Sequence, residues 1–229
     1  MTSTRATKTA TASIAADGLP ELAYRTFITG MTGSGKSVFA RALVRRADHR
    51  RVIVLDPTLD WMKDTGWPTY RSARQLAGYF ADSKPPRQVI CIADDYPAEA
   101  ETVARWCMQA QAGFMAGRHR QRLLLVLDEA SGAMPSRAGL PRNLKALVER
   151  GRHYGIDIIA ITQRPSQVHA DMRSNSGLRV YFPVGDEIDW TPIRDHIGRA
   201  GESRVRSLPE YTALACSRAG QVQVAAPLI

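Results

Sequence analysis

The feature that most constrains this chain is a glycine-rich loop between an apolar run and a helical pattern. The loop fits the pattern G-x-x-x-x-G-K-[ST] without a departure, and its residues are Gly30, Met31, Thr32, Gly33, Ser34, Gly35, Lys36 and Ser37. Glycines let backbone N–H groups curve around phosphate oxygens, and the N-terminus of the following helix favours anions. Lys36 is therefore expected to reach the β- and γ-phosphates of a nucleotide, and the Ser37 hydroxyl is expected to bind Mg²⁺.

From residue 24 onward, short apolar runs alternate with helix-length segments. The runs are nearly continuous in apolar residues, which is typical of strands covered on both faces. We expect strands at 24–29, 52–56, 88–93, 123–128 and 156–162, and helices at 36–47, 73–80, 98–116 and 143–154. Two further runs, 178–184 and 212–217, could extend the sheet, whereas 61–70 is expected to be irregular. The alternation predicts an α/β fold with a mainly parallel sheet flanked by helices.

Polar side chains follow two of the expected strands. Asp128 and Glu129 come directly after the run 123–127, and Gln163 follows the run 156–162. Because ligands of parallel sheets bind beyond the carboxyl ends of the strands, these side chains should lie near the phosphates. Asp128 is expected to hold Mg²⁺, Glu129 to take a proton from the attacking water, and Gln163 to orient that water and to report hydrolysis. An aspartate alone would also serve a kinase or a GTPase. The adjacent Glu129 favours hydrolysis, because a small-molecule kinase has no obvious use for it, and the chain has no Asn-Lys-x-Asp stretch for guanine, which disfavours a GTPase.

These motifs together resemble the FtsK–HerA superfamily of DNA-pumping P-loop ATPases. The similarity includes the loop at 30–37, the strand ends at 55–57 and 123–129, and the stretches 149–155, 158–166 and 174–180. It spans most of the chain. In its small size, the chain is most similar to the A32-like genome-packaging ATPases of membrane-containing icosahedral viruses. The segment 58–61 departs from the glycine-containing version common in the repair pumps, so the branch stays open.

The resemblance implies a RecA-like ATPase of the ASCE type that uses ATP and Mg²⁺ and pumps double-stranded DNA. It also implies a homo-oligomeric ring, expected to be a hexamer, in which an arginine of one subunit completes the site of its neighbour. The candidates for this arginine are Arg150, Arg152 and Arg179, of which Arg152 is preferred to Arg150 because it lies near the start of the Gln163 strand. A capsid or vertex protein is the further partner that the packaging branch implies.

The charge of the chain agrees with a polyanionic partner. The net charge is +9, and arginine supplies 26 of the 31 basic side chains. Basic clusters lie at 41–51 and 118–122 without interleaved aromatic residues, which favours contact with the backbone of duplex DNA over stacking on single strands. A surface that is merely soluble is the alternative explanation of the charge.

Several further expectations concern the organisation of the chain. Residues 1–18 are expected to form a disordered tail, with a transit peptide as the alternative, and residues 19–229 a single ATPase domain. Cys91, Cys107 and Cys216 are expected to be free thiols, and no apolar run approaches the roughly 18–20 residues of a membrane span. The expected location is the host cytoplasm or the virion. Rival functions are a cellular or plasmid DNA translocase, a phage assembly ATPase and a nucleotide-dependent DNA-binding module.

Overall fold

A computed structural model describes residues 18–92 and 94–226 of the chain. Its described residues form a sheet with the strand order β3-β4-β2-β5-β6-β1-β7-β8-β9. The strands are β1 (Arg25–Thr29), β2 (Arg51–Leu55), β3 (Thr69–Tyr70), β4 (Gln88–Cys91), β5 (Leu123–Leu127), β6 (Ile156–Thr162), β7 (Leu178–Tyr181), β8 (Thr212–Ser217) and β9 (Gly220–Ala225).

Every strand pair from β3 to β7 is parallel, and only the β7–β8 and β8–β9 pairs of the described sheet are antiparallel. The expected α/β fold with a mainly parallel sheet is therefore confirmed. The runs 178–184 and 212–217 do extend the sheet, as β7 and β8. Asp56 and Asp128 lie just beyond the strands in which the sequence placed them, at the start of the following loops. Residue 93, the expected end of another strand, lies outside the described residues.

The helices that cover the sheet vary widely in length. They are α1 (Lys36–Arg46), α2 (Asp60–Thr65), α3 (Ala73–Ala81), α4 (Tyr96–Ala110), α5 (Ala112–Met115), α6 (Ala130–Ala133), α7 (Arg142–Arg150), α8 (Ala170–Ser174) and α9 (Glu187–Arg206). The expected helix at 98–116 is divided between α4 and α5, and the one at 143–154 ends as a 3-10 turn at Gly151–Tyr154.

Two apolar cores lie on opposite faces of the sheet, because successive side chains of a strand point to opposite sides. In β5, Leu123, Leu125 and Leu127 belong to one core, whereas Leu124 and Val126 belong to the other. The first core is covered by residues of α3, α4 and α6 to α9, and the second by residues of α1 and by Trp61 of α2. Double coverage explains why the central strands are continuous apolar runs.

The expectation of an irregular segment at 61–70 is wrong, since α2 and β3 occupy most of it. Three backbone N–H groups at the start of α2, those of Asp60, Trp61 and Met62, donate to the Asp56 carboxylate at 3.2, 3.0 and 3.1 Å. The carboxylate satisfies donors that have no partner within the helix, and its charge suits the helix N-terminus. The fully buried Trp61 side chain anchors the helix to the sheet.

The sequence pattern does not predict α9 and β9. The helical pattern of α9 is interrupted by Pro192 and by Gly198, whose φ of 71° and ψ of 175° kink the helix. The strand β9 is polar on its exposed side and pairs with β8 through a short turn. In both cases, long-range packing stabilises a segment whose local pattern is weak.

The N-terminal tail, the cysteines and the membrane-span criterion bear on the chain as a whole. The tail expected at 1–18 lies, except for Gly18, outside the described residues. Cys91, Cys107 and Cys216 are free and buried, as expected. Between residues 18 and 226, leaving aside residue 93, the structure contains no helix with the length and apolar character needed to cross a membrane.

Candidate active site

The parallel strands bring the sequence-predicted polar residues to one edge of the sheet. The loop 30–37 follows β1, Asp128 and Glu129 follow β5, and Gln163 follows β6. Because β6 pairs with both β1 and β5, these three strand ends are neighbours. Asp56 joins them from the end of β2, the strand on the other side of β5.

The backbone of the phosphate loop needs its glycines for two different reasons. A Cβ on Gly30 would lie 2.5 Å from both the Phe182 Cβ and the Ser34 Oγ, so the loop could not pack there with a larger residue. Gly35 has a φ of 92°, a left-handed conformation that glycine adopts without strain, and it caps α1. The Ser34 hydroxyl is buried without a hydrogen-bond partner among the described residues. The loop is thus tightly packed, with the Ser34 hydroxyl buried beside Gly30.

Lys36 is buried at the start of α1, close to several carboxylates. Its Nζ donates to the Met31 carbonyl at a long 3.5 Å, which folds the side chain over the loop. Burial lowers the pKa of the ammonium group, while the charges of Asp128, Glu129 and Asp60 act in the opposite direction. A buried ammonium group with one long hydrogen bond is suited to bind an anion such as a phosphate.

Asp128 and Asp56 form a pair of buried carboxylates beside this loop. The Thr58 hydroxyl lies between them, 3.1 Å from Asp56 Oδ1 and 3.2 Å from Asp128 Oδ2. Burial, followed by the charge of Asp56, raises the pKa of Asp128 to about 6. A divalent cation would relieve this unfavourable charge, so the donor set fits Mg²⁺, which binds through one or two carboxylates together with phosphate oxygens. Ser37, in the first turn of α1, would supply a hydroxyl to the same ion.

Glu129 has a strained backbone and a restrained side chain. Its φ of 46° and ψ of 57° are left-handed, which is uncommon for a residue other than glycine. Its Oε1 accepts hydrogen bonds from Ser131 Oγ at 2.9 Å, Thr162 Oγ1 at 3.0 Å and the Gln163 N–H at 3.4 Å. These donors hold the carboxylate at the end of β6, next to the phosphate loop.

Gln163 connects Glu129 to the phosphate loop. Its Oε1 accepts a hydrogen bond of 2.7 Å from Thr32 Oγ1, and its backbone N–H faces Glu129. The structure thus brings together the loop, Asp128, Glu129 and Gln163. A Gln side chain in this position touches both the element that binds phosphate and the carboxylate proposed as the base.

The three candidate arginines lie away from this edge of the sheet in their own subunit. Arg150 ends α7 and Arg152 lies in the 3-10 turn before β6, both at the opposite edge. Arg179 lies within β7, and its guanidinium donates to the Ser174 carbonyl of the same chain. None of them reaches the phosphate loop in cis, so a role in catalysis requires the site of a neighbouring subunit and stays a prediction.

Part of the arginine content has an internal role. Arg41 is buried, with its guanidinium 2.9 Å from Asp64. Arg122 donates to the buried Asp157, and His49 contacts the same carboxylate. Arg87 donates to the carbonyl of His49 at 2.9 Å. Four arginines of the two basic clusters are exposed and remain available to a partner, namely Arg45, Arg50, Arg118 and Arg120.

Several residues that line this edge have no site role predicted from the sequence. Asp56 ends an expected parallel strand, and this position is the sequence signal that places it at the site. Thr58, Ser131 and Thr162 carry no comparable signal, because each contacts the site only through the tertiary fold.

The fold and the phosphate loop define the class of this protein, a P-loop NTPase with a mainly parallel sheet. More specifically, residues 25–185 match the family described as Zonular occludens toxin (Zot), and the chain belongs to that family. A comparison with the sequences of curated proteins finds no significant match.

Solved structures with the same fold include viral and bacterial proteins. The genome packaging NTPase B204 from Sulfolobus turreted icosahedral virus 2, solved with ATP-gammaS, is 17% identical, with a TM-score of 0.72 over 89% of this chain and 98% of that chain. The bacterial conjugative coupling protein TrwB is 12% identical, with a TM-score of 0.63 over 96% and 90%. VirB4 of Thermoanaerobacter pseudethanolicus is 13% identical, with a TM-score of 0.60 over 90% of each chain. These likenesses confirm, for the fold, the resemblance that the motifs indicated.

Proposed function

We propose that this protein is a Mg²⁺-dependent ATPase that moves double-stranded DNA. The observation that carries the hydrolytic part is the contact chain from Thr32 of the phosphate loop through Gln163 to Glu129, with hydrogen bonds of 2.7 and 3.4 Å. A P-loop enzyme that does not hydrolyse its nucleotide would not need a carboxylate and an amide side by side next to the phosphate loop.

Different residues of this chain have different roles in the proposed reaction. Lys36 and the loop amides bind the phosphates, while Ser37 and Asp128 would hold Mg²⁺, which neutralises charge on the phosphate oxygens when it is bound. Glu129 accepts a proton from the attacking water, and Gln163 orients that water. Gln163 accepts a hydrogen bond from Thr32 of the phosphate loop. A change in the loop when the γ-phosphate is lost can therefore be transmitted to β6 through the Gln163 side chain.

The proposal of DNA as the substrate is supported by charge and by structural neighbours. The net charge is +9, and the exposed arginines Arg45, Arg50, Arg118 and Arg120 lie in clusters suited to phosphate contacts. The neighbour B204 is described as a genome packaging NTPase. On this basis we propose packaging of a viral genome into a capsid by a ring of six subunits, in the host cytoplasm, with a capsid or vertex protein as partner.

A second candidate is a DNA translocase of a cell or plasmid. It is favoured by the likeness to the conjugative coupling protein TrwB, which covers 96% of this chain. Both candidates share the motor reaction and differ in the partner protein that the ring would contact.

The test measures ATP turnover with Mg²⁺, with and without duplex DNA, for the wild type and for Lys36→Ala. We expect duplex DNA to stimulate turnover by the wild type and the variant to be inactive at all DNA concentrations. Displacement of a third strand from a DNA triplex then reports movement along the duplex.

The outcomes separate a motor from a binding module, and duplex DNA from single-stranded DNA as the substrate. Stimulated turnover with strand displacement supports a motor. DNA binding that depends on ATP, without turnover above the level of Lys36→Ala, refutes the motor in favour of a nucleotide-dependent binding module. Single-stranded DNA as the better activator would refute duplex DNA as the substrate.

A further inference from the structure

An aromatic side chain that no motif includes lies against the phosphate loop. Tyr211 directly precedes β8, and 49% of the residue is exposed, whereas most large apolar residues of the described chain are buried. Its ring atom Cδ1 lies 3.3 Å from the position that a Cβ on Gly35 would occupy. The Ala226 Cβ lies 2.9 Å from the same position. The open end of the β8–β9 hairpin therefore packs on the last glycine of the loop and presents a tyrosine ring there.

The backbone at Tyr211 is one that a tyrosine rarely adopts. Its φ is 57°, and the Thr212 N–H donates to the Pro209 carbonyl at 3.2 Å, so Tyr211 holds the third position of a turn. Glycine or asparagine usually occupies a left-handed position of this kind. The Tyr211 carbonyl accepts the Ala226 N–H at 2.7 Å, which stabilises the turn against the strain. Strained residues that persist in this way cluster at ligand sites.

The sheet order determines on which side of the loop the nucleotide base must lie. Asp128, Glu129 and Gln163 follow β5 and β6, so the γ-phosphate end of a bound nucleotide faces that side of β1. The α-phosphate, which carries the ribose and the base, must then point toward the other side of β1, where β7 and β8 lie. Tyr211, at the start of β8, is on that side and already touches the loop.

We infer that Tyr211 forms the platform on which the base of the bound nucleotide stacks. The inference rests on the proposed function, because it requires that the loop 30–37 binds a nucleoside triphosphate. Aromatic stacking uses the π-face that every base has, and the ring supplies area at little cost in side-chain entropy. Tyr211 therefore contributes affinity for the base without distinguishing adenine from guanine.

The test compares three ligands by titration calorimetry, namely ATP, GTP and inorganic pyrophosphate, each with Mg²⁺. The decisive variant is Tyr211→Asn, because asparagine tolerates the left-handed backbone but lacks an aromatic face. We expect it to bind ATP and GTP roughly 5- to 150-fold more weakly, by the same factor for both, which is the range for loss of one base–aromatic stack. Pyrophosphate affinity should stay within about twofold, and Tyr211→Phe should bind all three ligands like the wild type.

The outcomes distinguish this inference from the proposed function. If the wild type binds neither pyrophosphate nor ATP, the proposed function fails first. If it binds both, and Tyr211→Asn leaves ATP affinity unchanged or weakens ATP and pyrophosphate equally, the stacking role is wrong. A loss confined to ATP, with GTP unaffected, would also overturn the inference, because it would show that the residue reads the edge of the base.

Discussion

Asp128 should make the unfolding free energy of this protein depend on pH in an unusual direction. Its pKa is about 6 in the folded protein, against roughly 3.9 in an unfolded chain, because burial and the charge of Asp56 disfavour the carboxylate. The folded state therefore binds more protons than the unfolded state between about pH 4 and 6. The contribution of Asp128 to the free energy of unfolding is fully present below the pKa of the unfolded chain, and it is lost as the pH rises through the pKa of the folded protein. A shift of about two units corresponds to ~3 kcal/mol.

The measurement is urea unfolding of the wild type and of Asp128→Asn from pH 4.5 to 8, without Mg²⁺ or nucleotide. Asparagine cannot ionise, so between pH 4.5 and 8 the stability of the variant relative to the wild type should increase by ~2 kcal/mol and level off above about pH 7, since the first third of the effect lies below pH 4.5. The change in hydrogen bonding adds an offset that is independent of pH. The variant Asp48→Asn, at an exposed position, controls for the loss of one negative charge.

Parallel pH curves for the wild type and Asp128→Asn would refute this reasoning, because the burial penalty would then be absent.

The same ionisation should determine how Mg²⁺ affinity depends on pH. Below about pH 6, a proton competes with Mg²⁺ for Asp128, so the Mg²⁺ affinity of the nucleotide complex should fall by up to about tenfold per pH unit. Affinity that does not change between pH 5 and 7 would place the metal elsewhere.

The remaining predictions concern the base, the loop, the DNA and the ring. Glu129→Gln should bind ATP while turnover falls by about 10²–10⁴, and near-normal hydrolysis would remove Glu129 as the base. Gly30→Ala places a Cβ 2.5 Å from that of Phe182, so it should lower the unfolding free energy by roughly 1–3 kcal/mol and weaken ATP binding, and a fully stable variant would contradict the packing. DNA affinity should fall steeply with salt and vary little with sequence, which filter binding can measure. Mixed rings of Arg152→Ala and Lys36→Ala subunits should regain activity that neither variant has alone. If verified mixed rings stay inactive, Arg152 does not act in trans, and the same test applies to Arg150 and Arg179.

The strands and the phosphate loop were predictable from sequence because their signals are local. A doubly covered strand is a continuous apolar run, and the residues of the loop at 30–37 follow one another in the chain. Parallel topology then implies that Asp128, Glu129 and Gln163 end at one edge, without any knowledge of individual contacts. What escaped prediction has weak local patterns, such as α9 with Pro192 and Gly198 inside it.

The contacts that decide the chemistry come from tertiary structure. Residues far apart in sequence meet there: Thr58 bridges to Asp128, Thr162 holds Glu129, and Tyr211 lies on Gly35. The sequence by itself determined which residue types reach the nucleotide edge, because each follows its own strand. Only the packed fold decided which arginines are bound internally, which carboxylate is buried beside another, and which ring lies on the loop. The reason is that burial and hydrogen bonding between distant segments depend on the whole sheet order, and no local pattern encodes that order.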